Sequence, residues 1–239
     1  MLSDPPPDAS RTIYRQGRYR IPPGATEIVL ARHGESAPYE AGVPHPTLDG
    51  HGDPELAPHG RVQAEHLGRR LAGGRVDAIY VSSLRRTHET AAPLAELTGL
   101  VPIVEPDLRE VHVGEWEAGL FRQRVRERDP IAVEMFQRER WDTIPGAESN
   151  ESLVERVQGA IDRIALAHPG RRVVVVAHAG VIGTALSIAA KASPFAFVGA
   201  ENASISELLV HDRRWAVRRF NDVAHLEALA GVELEVTSG

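Results

Sequence analysis

The chain has 239 residues, 42% of them hydrophobic, which is enough to bury the core of one large or two small domains; no internal repeat is visible, favouring one. A formal net charge of -6 and a pI near 6.0 exclude the general basic face that nucleic acid or an anionic membrane would require. With no cysteine, disulfides, thiolate catalysis and cysteine zinc sites are excluded together.

Met1 to Ser10 is rich in Pro, Asp and Ser and too poor in large apolar groups to fold alone. It has neither a basic leader nor an apolar core, and no window approaches a membrane span, so a soluble cytoplasmic protein is expected. Arg11, Arg15, Arg18 and Arg20 come next without an acid, interleaved with Tyr14 and Tyr19. One reading is a docking arm for an anionic partner. The other, favoured for short charge runs, is a solvated arm over an acidic body.

Glu27 to Ala31 reads as a buried strand that ends abruptly in Arg32, His33 and Gly34. Polar side chains at the carboxyl end of such a strand sit where open α/β sheets place ligands, and Gly34 allows a sharp turn after His33. The loop Ala37 to Glu55 is dense in Pro, Gly, His and Asp, and its length marks it as functional or mobile. His45 and His51 lack a coherent metal-ligand spacing, so no metal is expected there. Pro58 at a first helical position and Val62, Leu67 and Leu71 predict a helix over Pro58 to Ala72.

Val76 to Val81 reads as a second strand, emptying into Ser82, Ser83, Leu84, Arg85 and Arg86. A serine is expected to cap the helix after it, and arginines in that helix's first turn call for an anionic compensator. The helix ends at Gly99, and a short strand over Leu100 to Val104 leads to Glu110 and a Gly- and Trp-bearing loop. A charged helical stretch, Leu120 to Arg140, is interrupted by Pro130; Pro145 to Ser149 is a loop, and Glu151 to His168 an amphipathic helix. Arg172 to Ala177 is the best candidate for a central parallel strand, and it ends in His178, Ala179 and Gly180, repeating the layout of the first unit. Ser204 to Val210 and Trp215 to Phe220 predict a closing hairpin, with Leu226 and Leu229 anchoring the tail.

Strand ends bearing Arg32 with His33, Arg85 with Arg86, and His178, with Glu110 after a fourth, line one edge of an alternating β/α sheet. Two histidines and at least two arginines there make a dianion pocket in an otherwise acidic protein.

In that order the chain resembles the histidine phosphatase superfamily, with its phosphoglycerate mutase-like fold, from about Thr26 to Leu226. The resemblance is carried by RHGES at Arg32 to Ser36, LAPHGRVQA at Leu56 to Ala64, SLRRTHETA at Ser83 to Ala91 and LREVHVGEWE at Leu108 to Glu117. PGAES at Pro145 to Ser149, VVVVAHAG at Val173 to Gly180 and NDVAHL at Asn221 to Leu226 complete it. Two departures stand out: Ala57 replaces the hydroxyl cap of the second motif, and Tyr39 stands where family members often carry a phosphate-contacting Asn, leaving Ser36 as the nearest substitute.

The resemblance implies a three-layer α/β/α sandwich with a mostly parallel central sheet and one antiparallel edge. It places an amino-terminal arm at 1–25, partly disordered, the phosphatase domain at 26–226 with a helical cap at about 115–150, and a tail at 227–239. It further implies metal- and cofactor-independent, two-step phosphoryl transfer on a small-molecule phosphomonoester. In that scheme His33 is the nucleophile, Glu110 the general acid and later base, and Arg32, Arg86, His178 and Ser36 hold the phosphoryl oxygens. A phosphoglycerate mutase is the first alternative, disfavoured because the extended Asn-x-x-x-x-Phe-Thr-Gly-Trp loop of true mutases is lacking. A non-catalytic phosphate-docking module is the second, disfavoured because binding alone needs neither nucleophile nor acid. No nucleic-acid or membrane partner is expected, and the C-terminal hairpin offers an edge for a homodimer.

Overall fold

The computed structural model describes residues 14–227 and 229. Strand β1 (Thr26–Arg32) is succeeded, within the long loop, by a two-residue hairpin of β2 (Thr47–Leu48) and β3 (His51–Gly52). Then come α1 (Pro58–Ala72), β4 (Ala78–Val81), α2 (Arg85–Thr98), β5 (Ile103–Val104), α3 (Leu120–Arg126), α4 (Pro130–Arg138) and α5 (Asn150–Ala167). The order closes with β6 (Arg172–Ala177), α6 (Ala179–Ala190), β7 (Ile205–His211) and β8 (Arg214–Asp222).

The strands form a six-stranded sheet in the order β5-β4-β6-β1-β7-β8. The β5, β4, β6 and β1 neighbours pair in parallel, while β7 runs antiparallel to β1, and β8 to β7. The middle of β1 and nearly all of β6 are apolar because both their faces are covered. Alternation splits them: Ile28, Leu30, Val173 and Val175 pack with Leu153, Val157 and Ile161 of α5 and Val181 and Ile182 of α6. Val29, Ala31, Val174 and Val176 point the other way, onto Leu67 and Leu71 of α1 and Leu94 of α2. The result is the expected three-layer sandwich, mostly parallel with one antiparallel edge.

Several boundaries differ from those read in the sequence. β4 starts at Ala78, and β5 is only Ile103–Val104, both exposed. Edge position explains the second: a strand that buries neither face has little to hold it beyond its ladder bonds. Pro130 does not merely interrupt the charged stretch. It occupies the first turn of α4, whose cap Asp129 accepts from Ile131 N at 2.9 Å, so a separate helix begins there. At the start of α2 the cap position is Leu84, not a serine. In the arm, Tyr19 lies under the Arg218 guanidinium, 4.0 Å from ring centroid to Cζ. Met1 to Ser10, Arg11 and most of the 227–239 tail lie outside the described residues. No helix among the described residues is long and apolar enough to cross a membrane.

Gly34 serves close approach rather than a special backbone angle, since a Cβ there would collide with the Gly60 carbonyl. Gly60, in α1, is pressed against Glu35 in turn, and Glu35 O accepts from Ala57 N at 2.9 Å. These two glycines seat the end of β1 on the first turn of α1. A Cβ at Gly60 would lie 2.8 Å from the Glu35 carbonyl carbon and nearer still to its oxygen. Gly60→Ala is therefore expected to destabilise the fold by about 1–3 kcal/mol, the usual cost of overpacking. Urea unfolding checks this, and an unchanged midpoint would contradict it.

Candidate active site

β1 and β6 pair in register from Glu27↔Arg172 to Arg32↔Ala177, and the ladder continues as His33 N donates to Ala177 O at 3.0 Å. The next residue on each strand is therefore a histidine, and the His33 and His178 rings lie 5.1 Å apart, tilted by 60°. Both are buried, at 5% and 0% exposure. Arg32, from the same strand end, and Arg86, from the first turn of α2, open with His33 and Glu110 onto a cavity of about 320 Å³. Neither Ser36 nor the fully buried His178 is among its lining residues.

The His33 ring has a defined tautomer. Its Nδ1 lies 2.7 Å from the Gly34 carbonyl oxygen, which can only accept, so Nδ1 carries the proton and Nε2 the lone pair. Burial, then Arg86 and Arg32, push the His33 pKa well below its ordinary 6.5, which keeps the ring neutral. Burial, Arg86 and His33 do the same to His178. Burial lowers the Arg86 pKa to about 10, and the guanidinium still carries its charge at neutral pH.

Ser82, at the end of β4, does more than approach a helix start. Its hydroxyl lies 2.8 Å from His178 Nε2 and accepts from Leu84 N at 3.2 Å. Thr87 Oγ1, 3.1 Å away, gives its own proton to the Leu84 carbonyl. Through Nε2, Ser82 therefore fixes the orientation of the His178 ring. Its Nδ1 is buried with no hydrogen-bond partner among the described residues.

Glu110 rests on the amino end of α6. Gly180 N donates to its two oxygens at 3.1 and 3.3 Å, and Val111 N to Oε1 at 3.0 Å. A Cβ at Gly180 would meet Oε1 at 2.6 Å, which is why glycine stands two residues after His178. Arg85 turns away: its Nε meets Glu89 at 2.6 Å and its Nη2 meets Glu55 at 2.7 Å, supplying the anionic compensation expected for the helix start.

Arg122, on α3, had no signal of its own in a stretch crowded with arginines. Its Nη2 donates to Ser36 Oγ at 2.7 Å and its Nη1 to Ala37 O at 2.8 Å. It lines both the cavity and an adjoining groove that Ser36 and Tyr39 share. A cation from the helical cap therefore stands beside the position of the family Asn. Tyr39 instead packs edge-on against His45, with ring centroids 5.8 Å apart, and His45 itself lines the cavity.

Comparison with known proteins decides the family. The model for the histidine phosphatase superfamily (branch 1) matches residues 28–223. This chain belongs to that superfamily. It is 33% identical over 226 residues to a metal-independent phosphoserine phosphatase of Arabidopsis thaliana, covering 93% of this chain and 92% of the relative. It is 36% identical over 208 residues to phosphoglycerate mutase-like protein 4 of the same plant, covering 84% and 87%. A mycobacterial glucosyl-3-phosphoglycerate phosphatase solved with inorganic phosphate superposes with a TM-score of 0.69 at 30% identity, covering 83% of this chain and 98% of that one. As a histidine phosphatase, this protein is a phosphomonoester hydrolase.

In this phosphatase the Glu110 loop is clamped from below by α5. Arg156 donates to the carbonyls of Asp107 and Arg109, both at 2.7 Å, and of Glu110 at 3.1 Å, while its Nε and Nη2 hold Glu148 at 2.7 and 2.8 Å. Arg156 gave no sequence signal; Glu148 lies in the PGAES segment of the resemblance. Burial pushes the Glu148 pKa up, but the bonds and charge of Arg156 outweigh it and the net shift is downward. The pair's stabilisation is accordingly complete above the ordinary carboxylate value and is lost as pH falls through the lower folded one.

Arg156→Ala strands a carboxylate that is only 12% exposed, so it should cost about 3–5 kcal/mol by denaturant unfolding. Adding Glu148→Gln should restore part of the loss, and a cost below that of a surface ion pair would refute the clamp. The two histidines of the unliganded protein can be tested directly. Their imidazole NMR signals, assigned through His33→Ala and His178→Ala, should show no titration midpoint at 6.5 or above. Because the unfolded chain then takes up the extra protons, stability should fall as pH drops below 6.5.

Proposed function

We propose that His33 takes the phosphoryl group of a small-molecule phosphomonoester onto Nε2 and passes it to water. The observation that carries this is the Nδ1 bond to the Gly34 carbonyl at 2.7 Å: it leaves a neutral imidazole with its lone pair on the nitrogen that faces away from its own backbone. In the first step the Nε2–P bond forms as the ester P–O bond breaks, and Glu110 gives its proton to the leaving oxygen. In the second, Glu110 takes a proton from water as the oxygen attacks phosphorus, and phosphate leaves with His33 restored.

Arg32, Arg86 and His178 are the groups assigned to the equatorial oxygens, where charge accumulates. Each charge-assisted bond contributes about 1.5–3 kcal/mol. Ser36 accepts from Arg122 and keeps its own proton to donate, but it lines the adjoining groove rather than the cavity, so it is assigned to support rather than contact. The names of the relatives, a metal-independent phosphoserine phosphatase and a glucosyl-3-phosphoglycerate phosphatase, support hydrolysis over intramolecular transfer.

Rapid quenching of the wild-type enzyme should trap an acid-labile phosphoryl adduct. His33→Ala should lack it and lose on the order of 10⁴- to 10⁶-fold in kcat, as for other covalent nucleophiles. Glu110→Gln should lose about 10²- to 10⁴-fold on alkyl phosphates and far less on p-nitrophenyl phosphate, whose leaving group needs no proton. Full turnover by His33→Ala would end this reading, and equal losses on both substrates would remove Glu110 from the acid's role.

A further inference from the structure

The cavity holding His33 has a second half that the phosphoryl chemistry does not use. Trp116, Phe121, Phe136, Trp141 and Val198 line it. The rings stand in file: Trp116 is 6.3 Å from Phe121, and Phe121 is 6.1 Å from Trp141. Phe195 supports the row from outside the cavity, 4.9 Å from Trp141 and 6.1 Å from Phe136. Trp116 and Trp141 are mostly buried, but Phe136 is 44% and Val198 36% exposed, so apolar surface at the rim is left facing water. Clustered exposed apolar groups beside a polar centre mark a binding surface rather than core.

The charges on this side argue against a second anionic group on the substrate. Arg122, the extra cation, is anchored on Ser36 Oγ and the Ala37 carbonyl at the edge shared with the adjoining groove, where Glu35 supplies its countercharge. Glu117 also lines the cavity, its carboxylate fixed by Gly52 N at 2.8 Å and Val113 N at 3.0 Å. A carboxylate-bearing phosphoester such as a phosphorylated hydroxy acid would meet that like charge. The volume of about 320 Å³ is small for a ligand pocket, room for a phosphate and little more than one ring system.

We infer that the substrate is a phosphomonoester whose alcohol carries an uncharged, apolar group of about ring size, seated among Phe121, Phe136 and Trp141. The inference rests on the phosphatase reading above and narrows its substrate class.

Kinetics on the full chain with 2-phenylethyl phosphate, ethyl phosphate and phosphoserine test it, because all three lose a primary alkoxide and differ mainly in what the cavity must hold. The kcat/KM for 2-phenylethyl phosphate should exceed each of the others by roughly 10- to 100-fold, the discrimination an apolar pocket gives for one hydrophobic group. Phe136→Ser and, separately, Val198→Ser should shrink that ratio, mainly through KM; both positions are partly exposed, and thermal unfolding verifies that each variant folds. Equal turnover of the three esters, a preference for phosphoserine, or an undiminished ratio in both variants overturns the inference and leaves the phosphatase reading intact. Hydrolysis of none of the three by the wild type, with the His33→Ala variant no different, overturns both.

Discussion

Everything in the site depends on the parallel ladder between β1 and β6. A parallel pair in register carries two chain segments more than a hundred residues apart to the same height, so the residue after each strand is delivered to the same place. Here that is His33 on one strand and His178 on the other, their rings 5.1 Å apart. A one-residue slip would turn every side chain of β6 to the opposite face and separate the two imidazoles. The hydrophobic alternation of Ile28, Val29, Leu30 and Ala31 against Val173 to Val176 guards that register, because both sheet faces are covered by helices and either slip would mismatch two cores.

Bringing two imidazoles and two guanidiniums into a buried space is electrostatically adverse, and the surroundings manage it in distinct ways. The histidines stay neutral, with burial and neighbouring cations both disfavouring a further proton. Arg32 and Arg86 anchor on backbone carbonyls, of Ala200 at 2.6 Å and Gly52 at 2.9 Å, rather than on carboxylates that would cancel them. Their charge therefore remains available to an anion. Ser82 holds the His178 ring by Nε2, and the Arg156 and Glu148 pair holds the Glu110 loop from beneath. The site is thus assembled by the strand ends and oriented by a layer of residues that face away from the substrate.

The helical insertion supplies what the sheet does not. α3 brings Arg122 to the loop after β1, and α3 and α4 bring Phe121 and Phe136 to the cavity, where they meet Trp116, Trp141 and Val198. Such a division is common in α/β enzymes: the sheet edge carries the chemistry, and connecting segments carry selectivity because they vary without disturbing the ladder.

Much of this was legible in the chain. Strong periodicity and punctuation predicted α1 at Pro58–Ala72 and β6 at Arg172–Ala177, and short motifs in order identified the family and the residues at the strand ends. Those signals are local: an apolar run with a polar residue at its end, or a proline at a helix start, acts through neighbours in sequence. What the chain did not disclose is relational. Ser82 looked like a cap until His178, ninety-six residues away, was found 2.8 Å from its hydroxyl. Arg122 and Arg156 stood among many charged residues with nothing to single them out, and nothing near Ser36 in the chain named Arg122 as its partner. The aromatic row was invisible because its rings come from four separate segments. Sequence by itself determined which elements form and which residues end them, since backbone preference and hydrophobic period are properties of short stretches. Tertiary structure alone decided what each polar side chain meets, because a hydrogen bond or ion pair between distant residues exists only once the packed sheet has brought them within reach.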